Sequence, residues 1–166
     1  FHSYTDYYFP DGALEKHPNC ELYKGWVKAG YLKLCKGDII DYQQIVDDIL
    51  KMANYLCIMG IGYDPYKSAE FVNLLSSSVG GEADIINPVK QTYGTFTSPV
   101  ESFEIAIYSN KISFDPNPIT PYCFANAILD EDRNCNKKPI KKTHNAKIDS
   151  TITNLMTFHL FNNLTS

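Results

Sequence analysis

The chain has no run approaching 18 apolar residues, no Cys-x-x-Cys pair and no Gly-x-x-x-x-Gly-Lys-Ser/Thr loop. The first absence leaves no candidate for a membrane-spanning helix, so no membrane partner is expected. The second leaves Cys20, Cys35, Cys57, Cys123 and Cys135, odd in number and scattered, without the spacing of a zinc cluster or a disulfide framework. A reduced, cytosolic compartment is the expectation. The third means that no segment here is built to cradle nucleotide phosphates; "GIGYDP" is only a glycine-spaced run. Charge is also modest, at 20% of residues with a formal net charge of −4. That balance argues against a general nucleic-acid coat while leaving room for a local basic face. There is no initiator methionine and no signal peptide, so the sequence is expected to be part of something longer, and Asn163 in "NLT" is a chance match to a glycosylation acceptor.

What is present suits one globular domain. The 166 residues are 44% hydrophobic, and 12 Tyr and 9 Phe against a single Trp argue against disorder. "FHSYTDYYF" alternates as a strand does, and "PDGALEKHPN" is turn-rich. "CELYKGWVKAG" predicts a short helix stopped by Gly30, and "YLKLCKG" a half-exposed strand. Asp41 is placed to cap a helix in which Ile45, Ile49, Met52 and Leu56 recur at helical spacing. "CIMGIGY" is short and uniformly apolar, as a central strand buried on both faces would be, with Cys57 and Cys123 as small core residues. A helix carrying Phe71, Val72, Leu74 and Leu75 is expected from Pro65 to near "SSSVGG", then a strand in "ADIINPVKQ". "SPVESFEIAIYSNK" reads as a helix opened by Ser-Pro, and "DPNPITPYCFANAIL" turns into a short helix. "ILDEDRNCNKKPIKKTHNAK" is polar, a hairpin or a loop. Ile152, Met156, Leu160 and Leu164 mark the inner stripe of a final helix. Alternating strands and helices make this an α/β protein with part of its sheet parallel.

Two aspartates stand at comparable places. Asp64 ends the predicted buried strand just before Pro65, and Asp149 opens the last helix. Each suits a helix N-cap, a role that contributes about 1 kcal/mol. Each equally suits a metal centre, because Mg²⁺ and Mn²⁺ prefer oxygen ligands and α/β sheets place ligand sites at the carboxyl ends of strands. Spacing alone leaves both open.

The order of segments resembles the C-terminal nuclease domain of the large terminase subunit of tailed bacteriophages. The resemblance is carried by "YYFPDGAL", "WVKAGYLKLCKGDIIDYQQIVDDI", "IGYDPYKSAEFVNLL", "VKQTYGTFTSPVESFEIAIYSNKISFDPNP" and "KIDSTITNLMTFHL", nearly the whole chain in order. It implies a ribonuclease-H-like fold with a mixed central sheet flanked by helices, and hydrolysis of double-stranded DNA dependent on Mg²⁺ or Mn²⁺ at a two-metal site. Asp64 and Asp149 would be catalytic, metal-binding carboxylates. A further Asp is expected from a strand upstream of Phe1, since Asp6 and Asp11 do not match the family's motif and read as surface or turn residues. The parent would supply the ATPase motor domain, and act with portal and small terminase subunit in the cytoplasm of a bacterial host.

"NKKPIKKTHNAK" is the clearly basic stretch, with Lys137, Lys138, Lys141, Lys142 and Lys147 and no acid among them. It is either a solvated loop or a phosphate-binding face; Lys141, Lys142 and Lys147, nearest Asp149 in sequence, are the candidate DNA contacts. His144 and His159 are set aside as packing or surface residues, and Gln91, Asn126 and Trp26 are expected to be structural. Two other functions stay open: a DNA- or portal-docking module, and another ribonuclease-H-like enzyme such as a resolvase or transposase.

Overall fold

The computed structural model describes residues 1–79 and 83–165. The chain enters through β1 (His2–Ser3) and β2 (Tyr8–Pro10), passes through α1 (Asp11–Leu14) and α2 (Cys20–Lys28), and returns as β3 (Lys33–Cys35). Next come α3 (Tyr42–Ala53), β4 (Ile61–Tyr63) and α4 (Ala69–Ser78), then a 3-10 turn at Ala83–Ile85 leading into β5 (Ile86–Pro88). The remainder is α5 (Tyr93–Tyr108), β6 (Ser113–Phe114), α6 (Ile119–Ala125), β7 (Ala127–Glu131), β8 (Lys137–Lys141) and α7 (Asp149–Thr165).

The architecture is mixed α/β. Parallel ladders join β1 to β6, β2 to β3 and β4 to β5, while β7 and β8 form an antiparallel hairpin. Where one central sheet is expected from the sequence, the described strands pair two by two. The first aromatic stretch divides between two compact units. Phe1–Tyr4 joins Met59–Ser68 and the chain from Asp84 onward, whereas Thr5–Ile58 forms the other unit with α4. "CIMGIGY" is correspondingly not a strand buried on both faces: only Ile61–Tyr63 is in a ladder, its residues are half-buried, and Cys57 is exposed. A three-residue strand with one ladder partner cannot be covered like a central strand.

In the unit built on Thr5–Ile58, rings do much of the packing. Trp26 is buried, stacked on Tyr23 at 5.1 Å, and Tyr23 in turn meets Phe9 edge-on, so Trp26 anchors α2 as expected. Gly30, at φ +80°, ends that helix, with the N–H of Tyr31 and Leu32 donating to Trp26 O. Asp41 caps α3 by accepting from the N–H of Gln43 and Gln44. Asp11, expected in a turn, opens the short helix α1 and accepts from Gly37 N at 2.8 Å. Asp6 is less idle than a surface acid: it pairs with Lys33 Nζ at 3.1 Å, and Lys33 also reaches Asp48 at 2.9 Å.

Asp48 is the hub of this charge cluster. It accepts from Lys33, from Lys51 at 3.0 Å and from the Tyr8 hydroxyl at 2.8 Å. The Lys33 bond above all holds its carboxyl below the usual range, against the opposing effect of burial. Burial and the bond to Asp48 together push the Tyr8 phenol up.

The other unit is organised by α5 and α7. Val89, Phe96, Val100 and Phe103 pack with Ile148, Ile152, Leu155, Met156 and Phe158. Phe103 meets Phe158 edge-on at 5.2 Å. Each such side chain contributes about 1.5–3 kcal/mol through burial. The helix α5 begins earlier than its Ser-Pro pair predicts: Thr92 caps it, and Pro99 lies inside. The helix α7 is wrapped on most sides rather than on one stripe. Ser150, Thr151 and Asn154 are buried beside the apolar positions, whereas Leu164, predicted as part of the inner stripe, is 53% exposed. Asn154 earns its burial through bonds to Ser150 O at 2.9 Å and to the hydroxyl of Ser3 on β1.

A carboxylate whose native pKa is depressed adds stability that is complete above the unfolded Asp value and is lost as pH falls through the native one. Asp48→Asn is therefore expected to cost roughly 1–2 kcal/mol near neutral pH. The cost should shrink steadily below about pH 4. Urea unfolding of both proteins across that range measures it.

Candidate functional site

The strand β4 meets the last helix through glycine. A Cβ on Gly62 would lie 2.6 Å from Leu160 Cδ1 and 3.2 Å from Val89 Cγ2, and one on Gly60 would lie 3.2 Å from Leu164 Cδ1. No larger residue permits so close an approach without displacement. The two contacts also fix direction, because the strand advances from 60 to 62 as the helix runs back from 164 to 160. The strand and α7 are antiparallel, so the carboxyl end of β4 and the amino end of α7 lie at the same end of the pair. Asp64 follows β4 directly, and Asp149 is the first residue of α7.

Helical periodicity adds the orientation. Positions 149, 153, 160 and 164 share one face of α7, the face that carries the leucines packed on β4. Asp149 is exposed on that face, beyond the end of the strand. From the Gly62–Leu160 contact, Asp149 stands roughly 16 Å along the helix and Asp64 roughly 7 Å along the strand in the same direction.

Asp64 is not the helix cap that its neighbour Pro65 suggests. Its Oδ1 accepts from Tyr66 N at 3.0 Å in a tight turn, Lys67 follows at φ +55°, and α4 starts only at Ala69. That predicted helix ends at Ser78, and Gly80 and Gly81 of "SSSVGG" lie outside the described residues. The other oxygen, Oδ2, accepts from Gln91 Nε2 at 2.6 Å. Gln91 follows β5, whose ladder with β4 continues through Val89 N to Tyr63 O at 2.8 Å, so the parallel pair itself delivers the amide to the carboxylate. Both oxygens of Asp64 are held, and each keeps further acceptor capacity. Sequence reasoning gave Gln91 only a structural role; its position just past a strand parallel to β4 was the available signal.

The amino end of α7 is fixed from beneath. Cys123 on α6 is buried as expected; burial pushes its thiol up, while hydrogen bonds from the backbone N–H of Ser150 and Asp149 act the other way. Thr153 on the exposed strip donates to Asp149 O at 2.7 Å.

The basic stretch separates into two groups. Lys137 pairs with Glu101 at 3.3 Å, and Lys138 lies 4.5 Å over the ring of Tyr93, whose hydroxyl donates to Asp130. Lys141, Lys142 and Lys147 are exposed and take part in none of the salt bridges among the described residues. Asn126 ties down the segment they occupy: its carbonyl accepts from Lys142 N at 2.8 Å and its side-chain amide donates to Lys147 O at 3.4 Å. Asn126 is structural, as expected, and what it structures is the lysine-bearing approach to Asp149. His144 is exposed beside Asn145, and His159 lies far down α7 from Asp149.

No group of three or more His, Cys, Asp or Glu side chains positioned to hold a metal ion occurs among the described residues. The carboxylates of Asp64 and Asp149 are oxygen donors, which suit a hard divalent cation rather than zinc or copper.

Comparison with known proteins bears on this arrangement. The family model described as terminase large subunit, endonuclease domain, matches residues 1–163. Protein YmfN of Escherichia coli (strain K12) is 28% identical over 147 residues, covering 86% of this chain and 31% of its own length. The fold matches the HK97 bacteriophage large terminase with a TM-score of 0.80 at 20% identity, over 92% of this chain and 32% of that one. It also matches the large terminase nuclease from thermophilic phage G20c with a TM-score of 0.53 at 9% identity, over 75% of this chain and 62% of the other. The chain therefore spans about a third of the length of YmfN and of the HK97 protein.

If the glycines set the β4–α7 approach, Gly62→Val is expected to destabilise the protein by roughly 1–3 kcal/mol through overpacking. Combining it with Leu160→Ala should cost less than the sum of the single changes, because the methyl groups it meets are gone. A double-mutant cycle in urea reads this directly.

Proposed function

This chain belongs to the endonuclease-domain family of the terminase large subunit, and on that premise we propose that it is a ribonuclease-H-like, divalent-metal-dependent endonuclease that cuts concatemeric double-stranded phage DNA during genome packaging. The observation that carries the reading is the antiparallel seating of α7 on β4, which turns Asp149 toward the end of the strand that Asp64 follows.

In this reading Asp64 and Asp149 hold Mg²⁺ or Mn²⁺. A pair of such cations, when bound, supplies water activation and charge neutralisation at the leaving oxygen of a phosphodiester. Ligand bonds of about 2.1 Å and a cation separation of about 3.5–4 Å place the oxygens on either side of such a pair about 8 Å apart. Asp64 and Asp149 would then stand on opposite sides of such a pair. The remaining carboxylate belongs, in this proposal, to a strand outside these 166 residues.

The chain's own groups have distinct tasks. Gln91 Nε2 and Tyr66 N hold both oxygens of Asp64, which keep acceptor capacity for a cation. Lys141, Lys142 and Lys147 meet DNA phosphates, contacts that give affinity without reading sequence. An enzyme that cuts packaged DNA needs little more selectivity than that. The ATPase motor, the portal and the small terminase subunit are the proposed partners in the longer parent protein, acting in the cytoplasm of a bacterial host.

Assayed in the full-length parent chain on supercoiled plasmid with Mn²⁺, Asp64→Asn and Asp149→Asn are each expected to abolish nicking with the thermal midpoint unchanged. Wild-type cutting by either variant overturns the assignment. Salt-sensitive DNA binding without any cutting, unaffected by both changes, identifies a docking module instead. Gln91→Ala should behave differently from either aspartate. It is expected to raise the Mn²⁺ concentration for half-maximal nicking by about 10–100-fold, as loss of an outer hydrogen-bond partner does. Recovery of activity at high Mn²⁺ separates that positioning role from simple unfolding.

A further inference from the structure

A polar cavity of about 630 Å³ lies between the start of α5 and the far part of α7. Its chemistry is one-sided. Lys90, Thr92, Thr95, Ser98, His159 and Asn162 line it, and no Asp or Glu is among its lining residues, in a chain whose net charge is negative. It presents an ammonium, an imidazole, hydroxyls and an amide. Such a set is matched to an anion with several oxygens.

Its ends are held rather than loose. The Thr92 hydroxyl accepts from Thr95 N at 3.1 Å and bonds the Thr95 hydroxyl at 2.9 Å. His159 Nε2 lies 3.2 Å from the amide of Asn163, and Asn162 Nδ2 donates to Ser102 at 3.3 Å. Gly94 has nothing within 4 Å of where a Cβ would stand, so a ligand can come close to the backbone there. Lys90 is exposed and takes part in none of the salt bridges among the described residues. The positive end of the α5 dipole adds to the same preference.

The decisive feature is continuity with the site at Asp64. Lys90, Gln91 and Thr92 are consecutive in a turn closed by Thr92 N to Lys90 O at 2.9 Å. The middle residue grips the Asp64 carboxylate, and its two neighbours line the cavity. We propose that this cavity is a phosphodiester subsite: it takes a backbone phosphate of the same DNA strand that is cut at Asp64, a short step along that strand. The site deepens the nuclease reading and rests on it. It gives the DNA a second anchor, beside Asp64 and separate from Lys141, Lys142 and Lys147.

The test is binding of a double-stranded oligonucleotide in EDTA, followed by fluorescence anisotropy across a salt series. Lys90→Gln is expected to weaken binding several-fold and to lower the slope of log affinity against log salt by about one, as loss of one phosphate contact does. Lys111→Gln, at an exposed lysine outside this cavity and outside the basic stretch, should leave that slope as in the wild type. His159→Gln should weaken binding with a smaller change of slope. An unchanged affinity and slope for Lys90→Gln, alongside clear loss in a Lys141→Gln, Lys142→Gln double variant, overturns the subsite and leaves the nuclease reading standing. Equal losses for Lys90→Gln and Lys111→Gln also overturn it, since the effect is then general charge. Absence of any salt-sensitive DNA binding by the wild type overturns both.

Discussion

The approach of α7 to β4 is the constraint on which the rest depends. It is made by two missing side chains. With hydrogen at Gly60 and Gly62, the methyl groups of Leu164 and Leu160 sit almost on the strand backbone. That contact sets the direction of the helix relative to the strand, and direction decides everything chemical at this end. Were α7 parallel to β4, Asp149 would lie at the opposite end from Asp64. Antiparallel seating puts two acids that lie 85 positions apart in the sequence at the same end of the strand–helix pair. The helix is also buried on most of its circumference, with Asn154 hydrogen-bonded inside. A helix so enclosed cannot easily rotate, because rotation would strand that amide and expose apolar surface.

Around this frame, charge is sorted rather than spread. The basic stretch contributes two lysines whose charge is already committed, to Glu101 and to the face of Tyr93, and three that stay free near the amino end of α7. The committed pair fastens the hairpin to α5, and Asn126 then fixes the path of the free ones. In the other unit, Lys33 is absorbed by Asp6 and Asp48. An acidic chain can bind a polyanion in this way, by neutralising its acids locally and leaving its unpaired cations where they are useful.

How far the sequence revealed this can be argued residue by residue. Local signals were reliable: Asp41 as a cap and Gly30 as a helix stop follow from chemistry within a few residues, and Trp26 does anchor α2; the polar stretch 128–147, which the sequence left open between hairpin and loop, holds most of the β7–β8 hairpin. Signals that depend on tertiary company misled. Cys57 and its neighbours look like a buried strand because they are apolar, yet burial requires covering layers, and β4 has one ladder partner and three residues. Pro65 suggests a helix start that the chain postpones to Ala69, since the Asp64 carboxylate closes a turn instead. Leu164 fits a four-residue stripe but lies in the last turn, beyond most of the core. The bond from Gln91 to Asp64 could not be foreseen for the same reason: it comes from a parallel ladder, and no local pattern encodes which strand lies beside which.

That last point bears on the candidate site more generally. Asp64 could be singled out from its place at a strand end, but a carboxylate at a strand end is ordinary. It is distinguished by being held at both oxygens, one bond from its own turn and one from the neighbouring strand's exit. A carboxylate serving only its turn needs one acceptor oxygen. The bond from Gln91 is made to a charged acceptor, a class worth about 1.5–3 kcal/mol, so it also ties the exit of β5 to that of β4. In the proposed nuclease reading the same bond would orient Asp64 toward a cation, as an outer hydrogen-bond partner does.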